Sequence, residues 1–341
     1  MFIKTLKNMF SPIKIKQTDI TTESRCYEYK GHKFKCIQIN DDCYIFNCPL
    51  EYDSNYSTIF KAVRLKDRKK VILKQYFRNC HRYYDLERDA LRNLKHDNIV
   101  SLYDFSDKYS TLIMENGERG DLFEIIEKYT GFGKVNPELI FIDEKIIRTI
   151  IKQLINAIDY AYTKHEKSFC HRDLKLENIV LDYYGKLILI DWGFSEPYTD
   201  YLKFNNKPGS PVNMSPEIIN EENKSYCGHK SDIWSIGIII LQLYFGTSPF
   251  YSNGNSSNAI IDSQKKCPLY QMLHNFKWKE YISSFVSKIG RKNKMSSQLN
   301  DLLDKIFKPE EKRITSAEFK DDEWLKGETV TNSELLKYLN C

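Results

Sequence analysis

Apolar residues along this chain follow two periods. Over residues 33–74 they come in short runs, 43–48, 59–65 and 71–73, separated by charged turns, which is the pattern of strands. Residues 85–94 switch to helical spacing, with Leu86, Ala90, Leu91 and Leu94 on one face. Strand-like runs return at 99–105 and 111–114. After Asn116 the helical period dominates. Residues 144–164 form the clearest case, with Ile147, Ile150, Ile151, Leu154, Ile158 and Ala161 along one stripe. Residues 179–181 and 187–190 predict a hairpin turning through 182–185, and 231–245 is apolar nearly all round, which predicts a central helix. Residues 252–263 are rich in Ser and Asn and predict a surface loop. A strand-rich part therefore precedes a helix-rich part, with the change near residue 116.

The first sixteen residues carry Lys4, Lys7, Lys14 and Lys16 and no acid, and Phe2, Ile3, Leu6, Met9, Phe10 and Ile13 recur at helical spacing. This predicts a basic amphipathic helix that Pro12 ends or breaks. Its commoner fate is to dock on its own domain or fray; the other is peripheral contact with an anionic membrane surface. Lysines interrupt it too often for a signal segment. Residues 17–30 are polar and predict a linker.

Composition narrows the class. The chain has 341 residues, 41% hydrophobic and 28% charged, with a net charge of +5. These are ordinary globular values, enough for about two domains, and they exclude wholesale disorder. So mild a charge calls for no nucleic-acid partner. The longest apolar run, 233–245, suits a buried helix better than a bilayer span, so no transmembrane segment is expected. Nine cysteines include no Cys-x-x-Cys pair, and the cluster Cys26, Cys36, Cys43 and Cys48 reads first as reduced thiols, with a zinc site as the rarer alternative.

The chemistry is concentrated in His171-Arg172-Asp173-Leu174-Lys175-Leu176-Glu177-Asn178 and Ile190-Asp191-Trp192-Gly193. Two carboxylates, an amide and an ammonium flank the expected hairpin. Hard oxygen ligands of this kind hold magnesium, and the same set can orient a hydroxyl and neutralise phosphoryl oxygens.

Over residues 44–325 the chain resembles the eukaryotic protein kinases of the serine/threonine class. The resemblance rests on His-Arg-Asp, Asn five residues after that Asp, and Asp-Trp-Gly thirteen residues further on. It implies an α+β, bilobal protein kinase-like fold, with a small antiparallel β-sheet N-lobe at 44–116 and a helical C-lobe at 117–325. An N-terminal extension, 1–43, and a C-terminal tail, 326–341, flank them. It also implies ATP with Mg2+, or Mn2+ in its place, in the cleft, and protein Ser/Thr hydroxyls as acceptors. By position, Asp173 is the base, Lys175 contacts the transferred phosphate, and Asn178 and Asp191 ligate the metal. Lys74, in Val71-Ile72-Leu73-Lys74, meets the α- and β-phosphates and pairs with Glu87. Met114 stands behind the adenine, the backbones of Glu115 and Gly117 bind its edge, and Ile59, Ile72 and Val180 sandwich it. Asp121 lies near ribose or substrate. Glu217 of Ser215-Pro216-Glu217 pairs with Arg313, Asp232 holds the backbone of the catalytic loop, and Ser210 of Gly209-Ser210 bonds near Asp173 and Lys175. Leu91, Leu102, His171 and Trp192 stack as a hydrophobic spine.

The chain also departs from that family. Tyr52, Ser54 and Ser57 stand where three loop glycines are expected, which bears on nucleotide affinity. Ile72 replaces the usual alanine and narrows the adenine slot. Trp192, Tyr56-Ser57-x-Ile59-Phe60 and the Lys–Glu spacing are similar to casein kinase II, whereas Leu176-Glu177 and Gly209-Ser210 are similar to other branches. Asn206 stands where many members carry a phosphorylated threonine, so activity is expected without phosphorylation there; Thr199 and Tyr201 remain as sites. Asp121 and Glu177 suit basic targets, and Arg78, His81 and Arg82 suit acidic ones. The reading is a cytoplasmic serine/threonine protein kinase, in a host's cytoplasm if the chain is viral. Its rivals are a pseudokinase scaffold without turnover and a small-molecule kinase.

Overall fold

The computed structural model describes residues 11–13, 25–29, 32–46, 56–130, 142–163, 167–198, 208–220, 225–250, 257–289 and 294–340. The chain divides into two compact units, residues 1–95 with 100–116, and residues 96–99 with 117–341.

The first unit is an antiparallel sheet with one long helix. Its strands are β1 (Ser11–Ile13), β2 (Arg25–Tyr29), β3 (His32–Ile39), β4 (Asp42–Phe46), β5 (Ser57–Arg64), β6 (Lys70–Tyr76), β7 (Leu102–Ser106) and β8 (Thr111–Glu115), in spatial order β1-β2-β3-β4-β5-β6-β8-β7. Strict alternation in β4 sends Tyr44 and Phe46 inward, where they meet Ile37, Ile39, Phe60, Ala62, Val71, Leu73 and Ile113. Helix α1 (His81–Asn93) begins four residues earlier than its apolar spacing predicts. Its buried face is Tyr84, Glu87, Ala90 and Leu91, with Leu86 only half-buried, so a carboxylate occupies a position that an apolar count passes over.

Two N-terminal expectations are corrected. Ser11–Ile13 is an edge strand and no part of a helix; an edge tolerates Pro12, which has no N–H to give a ladder. The rest of residues 1–16 lies outside the described residues. The expected linker contains β2, which pairs along its whole length with β3, from Arg25 opposite Cys36 to Tyr29 opposite His32. The alternating Tyr27 and Tyr29 supply the strand propensity that its polar average hides.

The second unit is mainly helical: α2 (Leu122–Thr130), α3 (Glu144–Thr163), α4 (Pro216–Ile219), α5 (Gly228–Phe245), α6 (Ser257–Lys265), α7 (Pro268–His274), α8 (Trp278–Lys288), α9 (Ser297–Ile306), α10 (Ser316–Lys320) and α11 (Asn332–Leu339). Helix α5 is buried on every side, as its unbroken apolar run requires, and Gly246 ends it in a left-handed conformation. Two small sheets complete the unit, β9 (Ser168–Cys170) with β12 (Glu196–Tyr198) and β10 (Ile179–Leu181) with β11 (Leu187–Leu189). The loop expected at 252–263 is helix α6 from residue 257 onward; Ile260, Ile261 and Gln264 share helical spacing, and Gln264 is fully buried.

Residues 326–340 are tied to the helical unit. The Thr331–Glu334 capping box starts α11, Val330 donates its N–H to Thr149 at 2.9 Å, and Asn332 lies so near Gly185 that a Cβ there would come within 2.6 Å of its carbonyl. No described helix is long and apolar enough to cross a membrane. Among the described residues no group of three His, Cys, Asp or Glu is placed to hold a metal, and Cys43 is a free thiol. Cys48 lies outside the described residues.

Candidate active site

The second unit holds the residues of the expected catalytic loop, 171–178. Helix α5 carries Asp232, whose two oxygens accept the backbone N–H groups of His171 and Arg172, each at 2.8 Å, and the Tyr162 hydroxyl at 2.9 Å. Burial raises the Asp232 carboxyl, against the pull of His171 and the two N–H groups. These bonds hold Arg172 at a φ of 65°, a left-handed conformation costly for a residue with a Cβ. The His171 ring accepts the Asp173 N–H at Nδ1 (3.3 Å) and lies 2.9 Å from the Ile190 carbonyl at Nε2. A carbonyl only accepts, so the proton sits on Nε2. Trp192 meets the same ring edge-on at 4.8 Å.

Asp173 is the most heavily tied carboxylate of the loop. Oδ1 accepts the Ser210 N–H at 2.8 Å and its hydroxyl at 3.0 Å; Oδ2 accepts Asn178 Nδ2 at 3.1 Å and pairs with Lys175 Nζ at 2.9 Å. Lys175 also donates to Ser210 Oγ at 3.0 Å. Burial opposes its charge, but the Asp173, Glu177 and Asp191 carboxylates together outweigh that, and the net shift is upward. Gly209 makes the approach of Ser210 feasible: its φ is +103°, and a Cβ there would lie 2.5 Å from the Arg172 carbonyl.

The β10–β11 hairpin brings together the two residues assigned to metal. Ile179 faces Leu189, and the Ile190 N–H reaches the Asn178 carbonyl at 3.0 Å, so Asn178 and the turn at Asp191 share one end. Asn178 spends its Nδ2 on Asp173, which leaves the amide oxygen as acceptor. That oxygen and the Asp191 carboxylate are hard donors that fit Mg2+ or Mn2+. Asp191 also holds a left-handed φ, 63°.

Val180, on the same hairpin, bridges to Asp121 and leaves no room at residue 117, where a Cβ would lie 2.3 Å from its methyl group. Asp121 caps α2 by accepting the Glu124 N–H at 2.9 Å. Burial raises the Glu177 carboxyl; its own N–H and Lys175 oppose this, and the charges of Asp173 and Asp121 add to it.

The first unit holds the remaining assigned residues. Lys74 and Glu87 form a buried pair at 2.8 Å. Ile59 faces Lys74 across β5–β6, Ile72 faces Met114 across β6–β8, and Glu115 follows at the end of β8, its N–H on the Ser101 carbonyl at 2.9 Å. Ser57 is buried at the start of β5. Ser54 and Tyr52 lie outside the described residues. Leu91 is fully buried and Leu102 half-buried in this unit.

Away from the loop, Arg313 grips Glu217 through both ends of its guanidinium, at 2.5 and 3.0 Å, and donates to the Lys230 and Lys308 carbonyls. Three polar contacts went unseen in the sequence: Glu196 on Arg172, Tyr162 on Asp232, and Tyr76 on Glu87. The spacing of Tyr76, two residues after Lys74 on one strand, was the one available signal.

Comparison with known proteins matches residues 54–325 to the protein kinase domain. The chain is 34% identical to NUAK family SNF1-like kinase 2 of Rattus norvegicus over 48% of its own length and 24% of that protein's. It is 30% identical to CBL-interacting protein kinase 1 of Oryza sativa subsp. japonica, over 78% of this chain and 50% of the relative. With serine/threonine-protein kinase TIO of Arabidopsis thaliana the identity is 33%, over 49% of this chain and 12% of that one. The chain thus spans half or less of these relatives' lengths. Since the domain match runs across most of the chain and takes in every charged residue of the candidate site, the chain belongs to the protein kinase family.

Proposed function

We propose that this protein is an active serine/threonine kinase that transfers the γ-phosphoryl group of ATP to protein hydroxyls. The observation that carries the reading is the Asp173 carboxylate, oriented by Ser210 and Asn178 and paired with Lys175. In this reading Asp173 accepts the proton of the substrate hydroxyl, and Lys175, close beside it, takes the charge of the transferred phosphate. Lys74, held by Glu87, receives the α- and β-phosphates. Asn178 and Asp191 hold the magnesium or manganese, which when bound neutralises phosphate charge. Most of the rate gain comes from positioning and charge stabilisation.

Ile59, Ile72, Met114 and Val180 supply the apolar surface for adenine, and Glu115 and Gly117 the backbone groups for its edge. Asp121 and Glu177 are acidic groups that sense each other's charge, which favours basic residues in the target over acidic ones. A peptide library preferring acidic residues after the target would reverse that preference.

The pseudokinase reading draws on Ile72 and on serines in place of loop glycines. One experiment separates the two: γ-labelled ATP and magnesium with a basic protein and with casein, beside an Asp173→Asn control. Incorporation that falls about 10²–10⁴-fold in the control supports the enzyme. ATP binding without incorporation supports the scaffold. Label on metabolites alone would point to a small-molecule kinase.

A further inference from the structure

Glu87 has a second donor besides Lys74. Tyr76 lies two residues after Lys74 on β6, hence on the same face, and its hydroxyl donates to Glu87 Oε2, the oxygen that takes Lys74 Nζ. The tyrosine is 4% exposed. Its backbone N–H is fixed on the Ser110 carbonyl at 2.9 Å, its ring centroid lies 5.1 Å from Lys74 Nζ, and its ring meets Tyr84 of α1 at 6.0 Å. The same helix has further ties to the sheet. Tyr84 and Arg88 both reach Asp107 at 2.7 Å, and His81 meets Ser110 Oγ at 2.9 Å.

We propose that Tyr76 is a positioning residue that holds Glu87, and through it Lys74 and α1, in the paired arrangement with no partner protein or phosphate required. A lysine alone is a poor clamp, because its ammonium is a point charge on a flexible four-carbon stem. A tyrosine aims one hydroxyl along a rigid ring whose backbone is already tied. Two donors on one buried oxygen then fix the direction of the carboxylate as well as its charge. Without the hydroxyl, Glu87 keeps a desolvated charge and has one donor fewer. The inference depends on the kinase reading only for its catalytic consequence.

Tyr76→Phe keeps the ring and removes the hydroxyl. Hydrogen exchange of residues 81–93 in the nucleotide-free protein reads the hold on α1 directly. The expected result is exchange faster by about tenfold in this segment, the worth of one bond to a charged group, with the second unit unchanged. In a Glu87→Ala background, Tyr76→Phe is expected to add less than twofold, since its acceptor is gone. In the wild-type background kcat/KM for ATP falls by about tenfold. Unchanged exchange at 81–93 would overturn the proposal, and so would an equal increase in the Glu87→Ala background, because the hydroxyl would then act on something other than Glu87. If the wild-type protein transfers no phosphate while Tyr76→Phe still loosens 81–93, the proposed enzymatic function fails and the role of Tyr76 stands.

Discussion

The Arg172 guanidinium, 1% exposed, is paired with the Glu196 carboxylate at 3.1 Å. Its Nε donates to the Phe194 carbonyl at 2.8 Å, and Nη1 to the Tyr226 hydroxyl at 3.4 Å. The arginine beside Asp173 therefore already has its anion. In many kinases a phosphorylated residue plays that part, and Asn206, Thr199 and Tyr201 lie outside the described residues.

The first prediction follows from that pair. Phosphatase-treated protein is expected to keep its activity within about twofold, and Glu196→Gln to lose roughly tenfold in kcat, the worth of a charge-assisted bond. Kinetics of the treated and variant proteins check this. Activity that disappears with the phosphate would show that Glu196 does not suffice.

The Glu217–Arg313 pair supports the second unit. It is buried, and Arg313 also satisfies two backbone carbonyls and lies 5.0 Å from the Trp234 ring. Removing one partner strands the other charge, which costs about 3–5 kcal/mol. Glu217→Gln or Arg313→Met is expected to lower Tm by roughly ten degrees. The double replacement is expected to cost less than the sum of the two, read by calorimetry in a double-mutant cycle.

Acid should weaken the fold through His229. Burial and the neighbouring Lys230 push its pKa from 6.5 down to about 4, with Asp159 opposing. The unfolded chain thus binds a proton between these values that the folded chain refuses. The stability contribution is complete above about pH 6.5 and declines as pH falls to about 4, by up to about 3 kcal/mol. His274, also lowered by burial, adds in the same direction. Melting curves from pH 7 to 4 are expected to be flatter for His229→Gln than for wild type; equal slopes would refute the assignment.

Gly209→Ala is expected to cost activity more than stability. The new Cβ would press on the Arg172 carbonyl, and the left-handed φ adds about 1 kcal/mol or more. Ser210 would then withdraw from Asp173, and kcat should fall by at least about tenfold. The measurement is steady-state kinetics beside a melting curve; loss of both in proportion would show a folding defect instead.

Much of this was legible in the chain because it is local. The hairpin register that sets Asn178 near Asp191 follows from two apolar triplets and the turn through Gly185. The helix at residues 144–163 follows from one stripe of isoleucine and leucine. Polar and charged residues at short, fixed spacings, such as Asp173, Lys175 and Asn178, travel with the backbone that carries them. Averages over windows failed at β2, where pairing with its hairpin neighbour β3 overrides a polar composition, and at α6, where packing against the distant segment 211–213 does so. The burial of Glu87 was invisible for the same reason, since an apolar count treats a carboxylate as surface.

By itself, the sequence determined the strand and helix periods, the order of a strand-rich and a helix-rich part, and which residue types could do phosphoryl chemistry. Tertiary structure decided the partners. Asp232 reaches the Arg172 amide across 60 residues and Ser210 reaches Asp173 across 37, two partners that the family resemblance implied and no spacing along the chain could, and Tyr76 finds the oxygen that Lys74 uses. The physical reason is range. Spacing along the backbone sets periodicity and turn chemistry within a few residues. A buried donor takes whichever acceptor the fold brings within about 3 Å, and water no longer competes for it.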